Sequence, residues 1–247
     1  MFLIANRKDL PRDLTVLTAE LLTLDQSTPA DRLVQLQHRV QPGAYIHLIA
    51  HPNCPDELWV KLADDYFDLV AALQRHQLPA RRVQQVYQTY KKWNDYELLA
   101  ALCRQVNGTF NIWRHGLTKA ARYEPICEAL AENPKARQYP LIRTALLTSK
   151  SKKVILSLLE DRRPEEFETL MLQLLKIDRK EASALLEREA IPPGTPFPHG
   201  LIEKLLGSKK EQERLLGIGL LSRFEAPAKT NNLPVRAPPA TKRRNRR

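Results

Sequence analysis

Three residues of this chain have the types and spacing that could grip a metal ion. His47 and His51 lie four apart, so on a helix over 44–51 both imidazoles share a face, and Cys54 follows from the next turn. Pro52 ends such a helix and no fourth ligand is at hand, whereas zinc sites pair Cys or His on both sides of a loop. The simpler reading is a histidine at a helix C-terminus beside a small buried thiol, so no metal and no cofactor are expected. Cys103 and Cys127 stand among apolar helical residues, the surroundings of an inert thiol. The acidic pairs Asp64-Asp65 and Glu165-Glu166 suit helix ends and solvent better than acid–base work. Neither a Gly-rich phosphate loop nor a His-Glu-x-x-His run occurs. An enzyme is the less favoured reading, and no catalytic residue is assigned.

Basic residues offer more. In the segment 80–93, Val83, Val86, Tyr87 and Tyr90 form one helical stripe, and Arg81, Gln85, Gln88 and Lys92 form the opposite one. Arg81, Arg82, Lys91 and Lys92, set among amide side chains, could track a phosphate backbone. A second cluster, Lys150, Lys152 and Lys153, sits at a helix start, where cations oppose the helix dipole. The third is C-terminal. Of the net charge of +11, seven positive charges fall in residues 227–247, which hold no acid, leaving +4 for residues 1–226. Arg236, Lys242, Arg243, Arg244, Arg246 and Arg247 concentrate there among prolines, the composition of a disordered tail that binds polyanions.

The elements that position these residues are helices. Glycine is scarce, at 8 of 247 residues, while Leu, Ala, Glu, Arg and Gln abound, and period-two alternation is almost absent. Most of the 18 prolines fall where helices begin or stop. Thr28-Pro29 and Asn53-Cys54-Pro55 read as helix starts, as does Arg163-Pro164-Glu165-Glu166, after which Phe167, Leu170, Met171, Leu174 and Leu175 follow helical spacing. Asp178…Glu181 and Ser208…Glu211 have capping-box spacing, the second followed by Leu215, Leu216 and Leu220. About a dozen short helices are expected. The Pro-rich stretch 191–198 cannot be helical and is a place for a subdivision of a body spanning 1–226. Three cysteines far apart argue against a disulfide framework and favour a reducing, cytoplasmic setting. No stretch is long and apolar enough to span a bilayer, and the opening Met1–Ala5 is too short for a signal-peptide core.

Internal similarity supports a repeat. Asp68–Arg75 matches Glu97–Arg104 at an offset of 29 residues, each copy leading into a turn. The stretch Ala50-His51-Pro52-Asn53-Cys54-Pro55-Asp56-Glu57-Leu58, followed by Leu62-Ala63-Asp64-Asp65, resembles the leucine-rich repeat variant family, whose shape is related to HEAT-type solenoids. The clear unit is 50–74. The resemblance implies an all-α, irregular solenoid of short helices and says little of function. One member holds an N-terminal cysteine-bound iron–sulfur cluster, but this chain has no cysteine before Cys54, so that feature does not carry over. The expectation is a non-catalytic binding protein that contacts RNA or DNA through backbone electrostatics. The alternatives are a scaffold whose concave face grips a partner protein, and a helical-repeat enzyme acting on nucleic acid.

Overall fold

Proline and aspartate set where many helices begin. The structure, a computed structural model, describes residues 12–188 and 191–225; it holds fifteen α-helices, two single-turn 3-10 segments and, among the described residues, no strand. The chain divides into two compact units, Met1–Arg162 and Arg163–Arg247. In the first, α1 (Arg12–Leu24), α2 (Ala30–Leu36), α3 (Tyr45–Ala50), α4 (Asp56–Ala63), α5 (Tyr66–Arg75) and α6 (Ala80–Tyr90) are followed by α7 (Tyr96–Arg104), α8 (Phe110–Ala120), α9 (Glu124–Glu132), α10 (Pro140–Leu146) and α11 (Lys152–Leu159). Pro29, Pro55 and Pro79 immediately precede α2, α4 and α6, where a missing N–H costs nothing. The Asp65 and Asp95 carboxylates accept the amides of Asp68 and Leu98, capping α5 and α7. Thr28 does not cap α2 as its position predicts. Its hydroxyl donates backward to the Leu22 carbonyl at 2.7 Å.

Packing in this unit joins each helix to its second neighbour. α3 lies on α5, α5 on α7, α7 on α9 and α9 on α11, with α4, α6, α8 and α10 flanking that row. The core follows the row: Leu98 to Cys103, all of α7's middle, are buried. Gly116 of α8 lies so close to α7 that an added methyl would overlap the Cys103 sulfur.

The turns that lead from the row to its flanking helices share a pattern. Leu48, Leu73, Leu102, Leu130 and Leu158 are buried, and three residues after each stands a polar group: His51, His76, Gln105, Asn133 and Asp161. Helix C-termini leave carbonyls without intrahelical partners, and here the following turn supplies donors. The Gln105 amide, fully buried, donates to the carbonyls of Leu73 at 2.5 Å and His76 at 2.7 Å, and accepts the Leu78 amide at 2.7 Å. Asn133 donates to the carbonyls of Cys103 and Gln105 at 2.8 and 3.0 Å, and its oxygen accepts the amides of Lys135 and Ala136. The same logic runs through His51 Nε2, 2.9 Å from the Asp25 carbonyl, and Asn107, which donates to Leu78. At the last step the sign reverses: Asp161 accepts from Arg137 and Arg143.

The second unit comprises α12 (Pro164–Ile177), α13 (Arg179–Arg188), α14 (His199–Leu206) and α15 (Glu211–Glu225), with α12 and α15 each packed on both α13 and α14. Leu170, Met171, Leu174 and Leu175 are buried as their spacing requires. The units divide at Arg162, whose φ of 50° turns the chain, whereas the Pro-rich segment lies inside the second unit. The first capping box is present, Asp178 accepting the Glu181 amide at 3.0 Å. The second pairs differently: Ser208 accepts the Lys210 amide but donates to Glu213, which Arg179 also binds at 3.0 Å. Because that puts Glu213 inside, the helix face turns and Leu215 is 60% exposed.

Two outcomes follow for stability. Gln105→Leu leaves three buried backbone groups without their partner, so urea unfolding should show a loss of about 3 kcal/mol. Gly116→Ala should cost about 1–3 kcal/mol by overpacking, and the Gly116→Ala/Cys103→Ala pair should cost less than the sum of the single changes.

Candidate nucleic-acid interface

Helical hairpins give the first unit two edges. One carries the polar turns just described. The other carries the turns from each flanking helix into the next helix of the row: residues 64–65, 91–95, 121–123 and 147–151. Contacts at the helix ends place the first three of these turns side by side, and the fourth lies against the middle of α9. Tyr66 bonds Asp95 through their side chains. The rings of Tyr96 and Tyr123 stack at 6.0 Å and 27°, and Lys119 Nζ donates to Asn94 at 3.3 Å. Ser151 and Lys153 both bond Glu128 of α9, at 3.2 and 3.0 Å.

This edge collects cations that are remote in sequence. Lys91 and Lys92 lie in one turn, Arg122 in the next and Lys150 in the one after, all exposed. Lys152 and Lys153 open α11, Lys153 paired with Glu128. Among the described residues Lys92, Arg122 and Lys150 form no ion pair. Residues 80–123 carry eight Lys and Arg against two acids, Asp95 and Glu97, and Asp95 is committed as a helix cap.

Between α6, α7 and α8 lies a narrow crevice of about 20 Å³, room for about one water, lined by Tyr87, Tyr90, Trp93, Tyr96, His115 and Lys119 among others. Trp93 is 60% exposed and stands at 86° to Tyr90, 4.9 Å between centroids. His115 Nδ1 is buried without a hydrogen-bond partner, and burial, then the charge of Lys119, lowers its pKa, favouring the neutral ring.

The structure divides the set of basic residues picked out by sequence. Arg81 and Arg82 sit at the far end of α6 from Lys91 and Lys92, about 15 Å away at the helical rise. Arg82 is the correction: it is 4% exposed, its guanidinium lies 4.5 Å over the Trp59 ring, and it donates to the Cys54 carbonyl at 3.2 Å and to Asp56 at 2.5 Å. It is a packing residue, out of a ligand's reach, and Arg81 shares Asp56 at 3.0 Å. Arg236, Lys242, Arg243, Arg244, Arg246 and Arg247 lie outside the described residues. Sequence reasoning missed Trp93, His115, Lys119 and Arg122. The 29-residue offset carried the signal for one of them, since from Trp93 it falls on Arg122 and from there on Ser151, beside Lys150.

The histidines that suggested a metal are drawn apart by other partners. His51 is held in the polar turns, with Nδ1 accepting the Asn53 amide, while His47 Nδ1 lies 3.0 Å from His76 Nε2. Burial raises the Cys54 thiol to about 11. Among the described residues no group of three or more His, Cys, Asp or Glu side chains could hold a metal ion, and no helix is long and apolar enough to cross a membrane. No family model, curated protein or solved structure matches the chain.

His47 and His76 give a pH dependence. Burial lowers both pKa values, with Arg75 adding to each and Glu20 opposing at His47. A lowered histidine pKa means that the unfolded chain binds more protons, so stability should be full above the ordinary value near 6.5 and fall as pH drops below it. Urea midpoints at pH 8 and 5.5 should differ in that sense, and His47→Gln/His76→Gln should flatten the difference.

Proposed function

We propose that the first unit is an irregular α-solenoid of the HEAT-like, leucine-rich-repeat-variant kind, and that it binds nucleic acid without catalysis through its basic turn edge. The side-by-side row α3, α5, α7, α9, α11 supports the solenoid reading, since such stacks bury a continuous core by neighbour contacts alone. The observation that carries the functional reading is the gathering of Lys91, Lys92, Arg122 and Lys150, separated by up to 59 residues of sequence, onto adjacent turns of one edge. A row of exposed cations spaced along adjacent turns follows a phosphate backbone and gains affinity by releasing its counterions. The cationic residues 236–247 add charge to the same task, and the setting is cytoplasmic.

A scaffold is the second reading, favoured by α1, where Leu17, Leu21 and Leu24 are each more than half exposed at helical spacing. That stripe belongs to a protein partner rather than to phosphates.

Anisotropy titrations of labelled single- and double-stranded oligonucleotides over a range of salt test the proposal. The intact protein should bind most tightly at low salt, log affinity falling linearly with log salt. Lys91→Gln/Lys92→Gln/Arg122→Gln/Lys150→Gln should weaken binding and lower that slope by up to about four, and deletion of 236–247 by up to about six. Arg81→Gln should leave the slope nearly unchanged. Failure of the intact protein to bind at low salt removes nucleic acid and leaves the scaffold.

A further inference from the structure

We infer that the exposed ring of Trp93 is a base-stacking subsite, and that through it the basic edge selects single-stranded over double-stranded nucleic acid. The inference rests on the nucleic-acid reading above and narrows its substrate.

Two observations converge on Trp93. The first is the exposure of Trp93. The chain has three tryptophans, and Trp59 and Trp113 are 4% and 2% exposed, as expected of so large an apolar side chain. Trp93 is 60% exposed, yet Tyr90 braces it edge-to-face, so its ring is oriented as well as open. The second is charge complementarity. Lys91 and Lys92 precede the indole, Lys119 is held by Asn94 on one side of it, and Arg122 lies in the adjoining turn. A π-face set among cations matches the two chemistries that alternate along a single strand, base and phosphate.

A duplex cannot stack on this ring along its length, because its base faces are stacked within the helix and only phosphates and groove edges meet the protein. Stacking on an aromatic is sequence-tolerant, since every base has a π-face. The edge therefore selects strandedness, not sequence.

The test is tryptophan emission of the full-length protein titrated with oligo(dT), oligo(U) and a DNA duplex, at matched phosphate concentration and low salt. Single strands should quench the exposed indole while the duplex leaves emission unchanged, the two buried tryptophans supplying a constant background. Trp93→Ala should abolish the quench, weaken single-strand binding about tenfold or more, and leave duplex affinity and the salt slope as they were. Trp93→Phe, which keeps a stacking ring, should recover much of the single-strand affinity by anisotropy, and an unchanged circular dichroism spectrum checks both folds. The subsite is overturned if single strands bind without quenching, or if single strands and duplex bind equally and Trp93→Ala alters neither; the electrostatic reading survives both results. Absence of binding to all three probes overturns both.

Discussion

A helix that ends in the interior leaves carbonyl oxygens facing protein instead of water, and each must find a donor or lose the stability of a hydrogen bond. In the first unit that demand recurs at every turn out of the central row. It is met by side chains one hairpin further along: Gln105 for the end of α5, Asn133 for the end of α7. A primary amide suits the position because it donates and accepts at once, and Gln105 and Asn133 use both ends. The spacing of successive helices follows from this fit. Two turns bonded through one amide cannot slide past each other, so α5, α7 and α9 stand in fixed register, and the flanking helices are carried with them.

The opposite edge depends on that register without contributing to it. Its turns are joined by weaker means, a ring stack between Tyr96 and Tyr123 and a lysine on Asn94. Part of its charge has a local use. Lys91, Lys92 and Lys119 lie at the C-terminal ends of α6 and α8, where cations are favoured by the dipole. Lys152 and Lys153 lie at the other pole, in the first turn of α11, where the dipole opposes them and Glu128 offsets the cost for Lys153. Arg122 stands two residues past α8 as Lys92 does past α6, so the same dipole favours it, whereas Lys150 lies four residues past α10 and just before α11. Local electrostatics therefore accounts for most of these cations and leaves Lys150 without such a role.

What the sequence reveals here depends on whether a pattern is periodic or conditional. Helix starts at proline, the buried face of α12 and the Asp178 cap rest on local rules, and they appear where the residues put them. The 29-residue offset between α5 and α7 was visible, but the polar position three residues after each buried leucine was not, because His51, His76, Gln105, Asn133 and Asp161 share a geometry and no common residue type. Arg81 and Arg82 are alike on paper. Only the neighbouring hairpin, with Trp59 and Asp56, takes one inside and leaves the other out. Likewise Ser208 has Glu211 at capping distance, yet Arg179, distant in sequence, draws in Glu213 and turns the helix face with it.

The direction of the buried amide bonds also gives the chain a polarity in time. His51, Gln105, Asn107 and Asn133 all reach back toward the N-terminus, so the carbonyls they meet wait for a residue 26 to 32 positions downstream. A ribosome delivers the chain in the other order. Each hairpin therefore leaves the exit tunnel with its last carbonyls unmet and closes only once its successor has emerged. Assembly trails synthesis by one hairpin until Arg137 and Arg143, reaching forward to Asp161, end the dependence.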